Sequence, residues 1–184
     1  MVTGAGVSVE PTVRDLARAI AAAVPDPELP MLTLADLGVL ADVEADGATG
    51  AVTAWLTPTY SGCPAVAEMA ADVDRRLRAA GYRDVRVRLR LDPPWSTDMI
   101  TAEGRRKLAE AGIAPPRPGA GAAGAAPVAL TLGPTRTAAS AAPVPCPQCG
   151  SADTEELSRF GSTACKALWR CRACREPFER VKEI

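Results

Sequence analysis

The stretch DVRVRLRLD, residues 84–92, alternates Val85, Val87, Leu89 and Leu91 with Arg86, Arg88 and Arg90. Successive side chains of a strand point to opposite faces of a sheet. The pattern therefore predicts a strand with one face in a core and a row of guanidinium groups on the other. Pro93 and Pro94 end it. Upstream, residues 64–80 place Val66, Met69, Ala70, Val73 and Leu77 at helical spacing, and Gly81 closes the helix. Before that, residues 39–44 and 50–57 read as two strands joined by a glycine-rich turn, a hairpin. A first helix is predicted over 12–24, with Thr12 and Asp15 as its capping pair and Pro25 and Pro27 as its stop. Residues 26–40 read as a loop-like approach to the hairpin, and a last helix runs over 97–111. The order α-β-β-α-β-α is that of a small α+β domain, residues 1–113.

Residues 114–143 differ in kind. Eleven of these thirty are alanine, six proline and four glycine, too little apolar bulk to bury a core, so they are read as a linker. Within it, PVALTL (127–132) is a candidate docking strand. Residues 144–184 form a second, smaller unit.

The 184 residues carry a formal net charge of −1, which gives no general attraction to nucleic acid or to an anionic membrane. The N-terminal segment lacks a basic stretch followed by an apolar one, and no apolar run approaches the ~18 residues of a membrane span. The expectation is a cytoplasmic protein with reduced thiols, in which cysteine pairs signify metal. The chain has six cysteines and no histidine. That removes Ser-His and Cys-His catalytic pairs and histidine-based iron sites. No catalytic constellation remains, and an enzyme is not expected.

Cys146-Pro-Gln-Cys149 and Cys171-Arg-Ala-Cys174 are two Cys-x-x-Cys pairs with 21 residues between them. Two tight turns, each offering two thiolates, complete a tetrahedron around Zn²⁺, and iron accepts the same set. A unit this small needs the metal to fold. It has seven Lys or Arg and six Asp or Glu, and a Zn²⁺-tetrathiolate centre brings it to about −1. That balance favours a protein partner over a phosphate backbone. Cys165 stands outside both pairs, either a small residue buried beside Phe160 and Trp169 or an auxiliary thiol, as a substitute ligand or redox contact.

Cys63, in TPTYSGCPA (57–65), is the lone thiol of the first domain, at the start of a helix where proline follows it. One reading is a small residue wedged in a tight turn. The other is an exposed thiol, its thiolate favoured by the helix N-terminus, that accepts iron, a cluster fragment or another thiol. Glu28 and Asp36 are candidate acidic neighbours. Arg86, Arg88 and Arg90 are either a solvated sheet face or a docking surface for an acidic partner. Arg105-Arg106-Lys107 reads as an ordinary exposed helix face.

DPELP (26–30), the following DLG, LTPTYSGCPA (56–65), GRRKL (104–108), GIAPP (112–116), CPQCGS (146–151) and FGSTACKALWRC (160–171) together resemble the PaaD family of accessory subunits. The first domain is similar to that of iron–sulfur assembly factors. The resemblance implies an accessory or maturation factor of the phenylacetyl-CoA epoxidase complex in phenylacetate degradation. It would assist iron or iron–sulfur cluster insertion, with that complex or assembly proteins as partners, and touch neither nucleic acid nor membrane. By position, Cys63 becomes the reactive thiol, with Asp26, Glu28 and Asp36 beside it. The ribbon, rigidified by Zn²⁺, would recognise the client while the linker lets the units act ~30 Å apart. The alternative is a structural docking subunit of the oxygenase with no metal transfer.

Overall fold

The computed structural model describes residues 11–59, 62–119 and 144–183. The candidate strand at 127–132 lies outside them. Helix α1 (Val13–Ala22) is capped as its sequence predicts: the Thr12 hydroxyl accepts from the Asp15 N–H, and the Asp15 carboxylate accepts from Thr12. The segment read as a loop contains a one-turn helix, α2 (Leu34–Leu37), built on the same device with Thr33 and Asp36. The repeated Thr-x-x-Asp pattern was its legible signal. Gly38 ends α2 at φ 68°, and a Cβ there would meet the Met99 carbonyl oxygen at 2.5 Å.

Strands β1 (Leu40–Asp46) and β2 (Ala51–Leu56) form the expected hairpin, and β3 (Asp84–Leu89) returns parallel to β2 after helix α3 (Ala65–Ala79). Ala17, Ala21, Val43, Val52, Leu56, Met69, Val73, Leu77 and Val85 make the core on one face of this sheet. The apolar side of β3 is not core throughout. Val85 is buried, but Leu89 and Leu91 are 51% and 63% exposed. β3 is an edge strand, and β2, beside it, ends at Leu56, level with Leu89. Helix α4 (Ala102–Glu110) follows a short turn of 3₁₀ helix at Thr97–Met99. Gly104 lets α4 touch α2: a Cβ there would stand 2.7 Å from the Asp36 carbonyl oxygen.

Strand β4 (Ile113–Ala114) follows α4 and belongs to a second sheet. There it pairs parallel with β7 (Pro177–Val181), which pairs with β6 (Lys166–Cys171), and β6 with β5 (Thr154–Ser158). Val181 of β7 is buried in the core of the first domain. The Arg117 guanidinium donates to both Glu183 carboxylate oxygens at 2.9 and 3.1 Å. The expected separation of about 30 Å therefore does not occur. Ala114, assigned to the linker from composition, is a strand residue, and the two units are packed together.

Candidate functional site

The two Cys-x-x-Cys turns have matching backbones. Each first cysteine donates its N–H to the carbonyl five residues on, Cys146 to Ser151 at 2.9 Å and Cys171 to Glu176 at 3.0 Å. The residue after each second cysteine has a left-handed backbone, Gly150 at φ 74° and Arg175 at φ 68°. These turns bring the four sulfurs within 4.8 Å of one another. The Cys146–Cys174 pair is 3.8 Å apart and the Cys149–Cys171 pair 3.6 Å. A tetrahedral zinc with Zn–S bonds of ~2.3 Å separates its sulfurs by ~3.8 Å, so the spacing fits. The Cys174 N–H approaches the Cys171 sulfur at 3.5 Å and is the main reason that thiol is pulled down to about 7, while burial and contact with the other sulfurs push Cys149 and Cys174 up, Cys174 to about 12. Val144, Ala167, Trp169 and Phe178 pack against these cysteines.

Cys63 lies elsewhere, in the turn between β2 and α3, with Pro64 leading into the helix. It lines a pocket between the two units, with Asp26 and Glu28 from the loop before α2, Met69 from α3, and Cys165 and Lys182 from the ribbon. Leu37, Trp95, Ile100 and Val181 wall it, and the Trp95 indole N–H donates to the Leu37 carbonyl at 2.9 Å. The expectation of a favoured thiolate at Cys63 is overturned. Burial pushes its thiol above the ordinary 9.0, and the charges of Glu28 and Asp26 push the same way, against the opposing effect of the Ala65 N–H.

Asp26 is 8% exposed, and its Oδ1 accepts from the Glu28 and Leu29 N–H groups, both at 2.8 Å. Asp36 does not join the pocket. Its Oδ2 accepts from the Thr33 N–H and hydroxyl at 2.9 Å and from Lys107 Nζ at 2.8 Å, so it caps α2 and ties α4 to it. Lys107 is correspondingly not part of an ordinary exposed face. Arg105 also turns inward, to the Thr97 and Pro116 carbonyls, leaving Arg106 exposed between Glu103 and Glu110.

Cys165 is half-buried, not enclosed beside Trp169. Its loop is held against β7. Lys182 donates its N–H to the Cys165 carbonyl at 2.9 Å and its Nζ to the Ala164 carbonyl at 2.7 Å, and the Thr163 hydroxyl lies 3.1 Å from the Cys165 sulfur. The part of Cys165, Met69 and Lys182 in this pocket was not legible, because it depends on how two units dock. On the other side of the first sheet, Arg88 and Arg90 lie over the Trp55 ring at 5.8 and 5.0 Å, while Arg86 pairs with Asp84 at 3.0 Å. No helix among the described residues is long and apolar enough to cross a membrane.

Residues 132–182 match the family model described as the PaaD zinc beta ribbon domain, and residues 14–89 that of an iron–sulfur cluster assembly protein. A protein of Escherichia coli (strain K12), provisionally named as a component of 1,2-phenylacetyl-CoA epoxidase, is 40% identical over 166 residues, 90% of each chain. An Fe-S protein maturation auxiliary factor of Porphyromonas gingivalis is 34% identical over 84 residues, 45% of this chain and 78% of that protein. A solved domain of unknown function from Bacillus anthracis covers 52% of this chain and 90% of its own at 28% identity, with a TM-score of 0.48.

Proposed function

The chain belongs to the PaaD family, and on that premise we propose that it is a maturation factor of the phenylacetyl-CoA epoxidase complex that handles iron on its way into that complex or its iron–sulfur protein. The observation that carries this reading is the pocket itself. A half-buried thiol faces two carboxylates in a largely apolar cleft between an assembly-type domain and a ribbon. Cys63, Asp26 and Glu28 are oxygen and sulfur donors of the kinds iron accepts. Raised above 9.0, the Cys63 thiol stays protonated until a cation displaces its proton, which suits transient holding better than nucleophilic attack.

Zn²⁺, held by Cys146, Cys149, Cys171 and Cys174, has a structural part. The centre has four protein ligands and no open position for chemistry, and it keeps β6 and β7 in place under the pocket. Arg88 and Arg90, which have no carboxylate partner among the described residues, form with Trp55 a face for an acidic surface of the client. The protein acts in the cytoplasm, as an accessory subunit without turnover of its own.

The test compares anaerobically purified wild type with Cys63→Ser, measuring zinc, iron and activation of the epoxidase complex. Equal zinc in both, with iron uptake and activation lost in Cys63→Ser, is the expected result. Full activation by Cys63→Ser would leave a docking subunit with no metal transfer, the reading that the Arg88–Trp55–Arg90 face favours.

A further inference from the structure

Among the described residues, three buried side-chain nitrogens have no hydrogen-bond partner: Trp55 Nε1, Trp169 Nε1 and Arg180 Nε. A buried donor without an acceptor is costly, so each such group calls for one. Trp169 and Arg180 are only 6% and 7% exposed, and both line one pocket of the ribbon. Strand pairing sets them side by side. Trp169 of β6 pairs with Phe178 of β7, and Arg180 follows two residues on, so the two side chains are diagonal neighbours on one face of the sheet. Glu156 of β5 pairs with Trp169 from the other side. The Arg180 guanidinium lies over the Trp169 ring at 5.5 Å, and its Nη2 donates to Glu183. Stacking and that bond hold the guanidinium in place and leave its Nε–H unused.

The charges choose the occupant. Three cations line this pocket, Arg159, Arg180 and Lys182, against two carboxylates, Glu156 and Glu183. Glu183 is already engaged, because Arg117, from outside the pocket, donates to both its oxygens. Arg159 has no carboxylate partner among the described residues. Lys182 Nζ, which carries three hydrogens, donates to the Ala164 carbonyl at 2.7 Å and keeps donors to spare. Excess positive charge and two unused N–H groups thus share one pocket. We propose that it binds a single oxyanion group, a carboxylate or a phosphate, through Trp169 Nε1 and Arg180 Nε, with Arg159 and Lys182 supplying charge. The pocket holds about 220 Å³. Sites that enclose a whole drug-sized ligand run to ~300–1,000 Å³, so this one takes the anionic group alone. It shares Lys182 with the Cys63 pocket, and it does not rest on iron handling.

Zinc-loaded full-length protein, isotope-labelled at its indole nitrogens, is titrated with inorganic phosphate and separately with acetate, in chloride at constant ionic strength. The Trp169 indole N–H resonance, assigned with Trp169→Phe, is expected to move and saturate with at least one of the two ions. That of Trp95, already bonded to the Leu37 carbonyl, should stay where it is. Saturation by one ion alone names the group the site takes. Calorimetry is expected to find affinity for that ion about tenfold weaker in Trp169→Phe, which keeps the ring and loses the N–H. Arg159→Ala should weaken it roughly 3–10-fold and Glu156→Gln, which removes a like charge, should tighten it, all at unchanged zinc. A Trp169 resonance that neither ion moves, or that drifts without saturating, overturns the site and leaves its donors to water. Saturation with wild-type affinity in both Trp169→Phe and Arg159→Ala puts the ion elsewhere and overturns it as well. Should Trp169→Phe release zinc, Arg159→Ala and Glu156→Gln, both changes of exposed residues, decide the matter.

Discussion

Asp36 and Lys107 are 71 residues apart in the chain, and their charged atoms are 2.8 Å apart in the fold. The pair joins a one-turn helix that could not persist alone to the last helix of the first domain. Burial pushes the Asp36 carboxyl up, but donation from Lys107 and Thr33 outweighs it and holds the group below its ordinary 3.8. A depressed carboxyl contributes stability above its unfolded value and loses it as pH falls through its folded one. Lys107→Met is expected to cost about 1–3 kcal/mol at near-neutral pH. Urea unfolding should show that deficit in full at about pH 6 and shrinking towards about pH 3. A deficit constant across that range would mean that the lysine acts by packing alone.

Cys63 should be a slow thiol. Burial raises it above 9.0, so its thiolate fraction at about neutral pH is below that of a free cysteine. Site-resolved iodoacetamide labelling of zinc-loaded protein should find Cys63 reacting more slowly than a cysteine peptide, with a rate that keeps climbing above about pH 9. Faster labelling than the peptide near neutrality would mean that the N-terminus of α3 outweighs burial.

Gly104→Ala is expected to destabilise although alanine favours helices by about 1 kcal/mol. The added methyl group would press on the Asp36 carbonyl oxygen at 2.7 Å, backbone against which α4 has no freedom to shift. A net loss of about 1–3 kcal/mol in chemical denaturation is expected. Gly47→Ala, whose methyl group would meet only a Val13 methyl carbon at 3.5 Å, should stay within about 0.5 kcal/mol of wild type.

Zinc removal should reach beyond the ribbon. A chelator takes away the ion that joins the two cysteine turns, and the ribbon strands lose their anchor. Val181 then leaves the core of the first domain and the ribbon wall of the pocket opens. Two changes should follow together: a fall in the melting temperature of the whole protein, and faster alkylation of Cys63 than in the zinc-loaded form. Unchanged Cys63 labelling after zinc loss would argue against the shared wall.

The features legible in the sequence are those written in neighbouring residues. The alternation at 84–92 marked a strand, and the apolar spacing of Val66, Met69, Val73 and Leu77 marked a helix. Cys-x-x-Cys spacing announced its own turn geometry. What escaped was set by contacts between distant segments. The family resemblance placed Asp36 beside Cys63, yet Lys107 claims it. Leu89 and Leu91 carried the right alternation, but period alone does not reveal how far a sheet edge is covered. Cys165 gained its place opposite Cys63 through Ile113 pairing with Glu179, a register that no local pattern encodes.

The pairing of β4 with β7 also sets an order of events during synthesis. Domains generally fold from the N-terminus as they emerge from the ribosome. The first domain can complete its own sheet long before β7 exists, and through that interval Ile113 has no strand partner and Cys63 no ribbon above it. A newborn chain is therefore open to thiol chemistry at Cys63 in a way that the finished protein is not. The ribbon is a late-arriving lid as well as a metal site, and a chain stalled after β4 would present an uncovered strand edge beside an uncovered thiol.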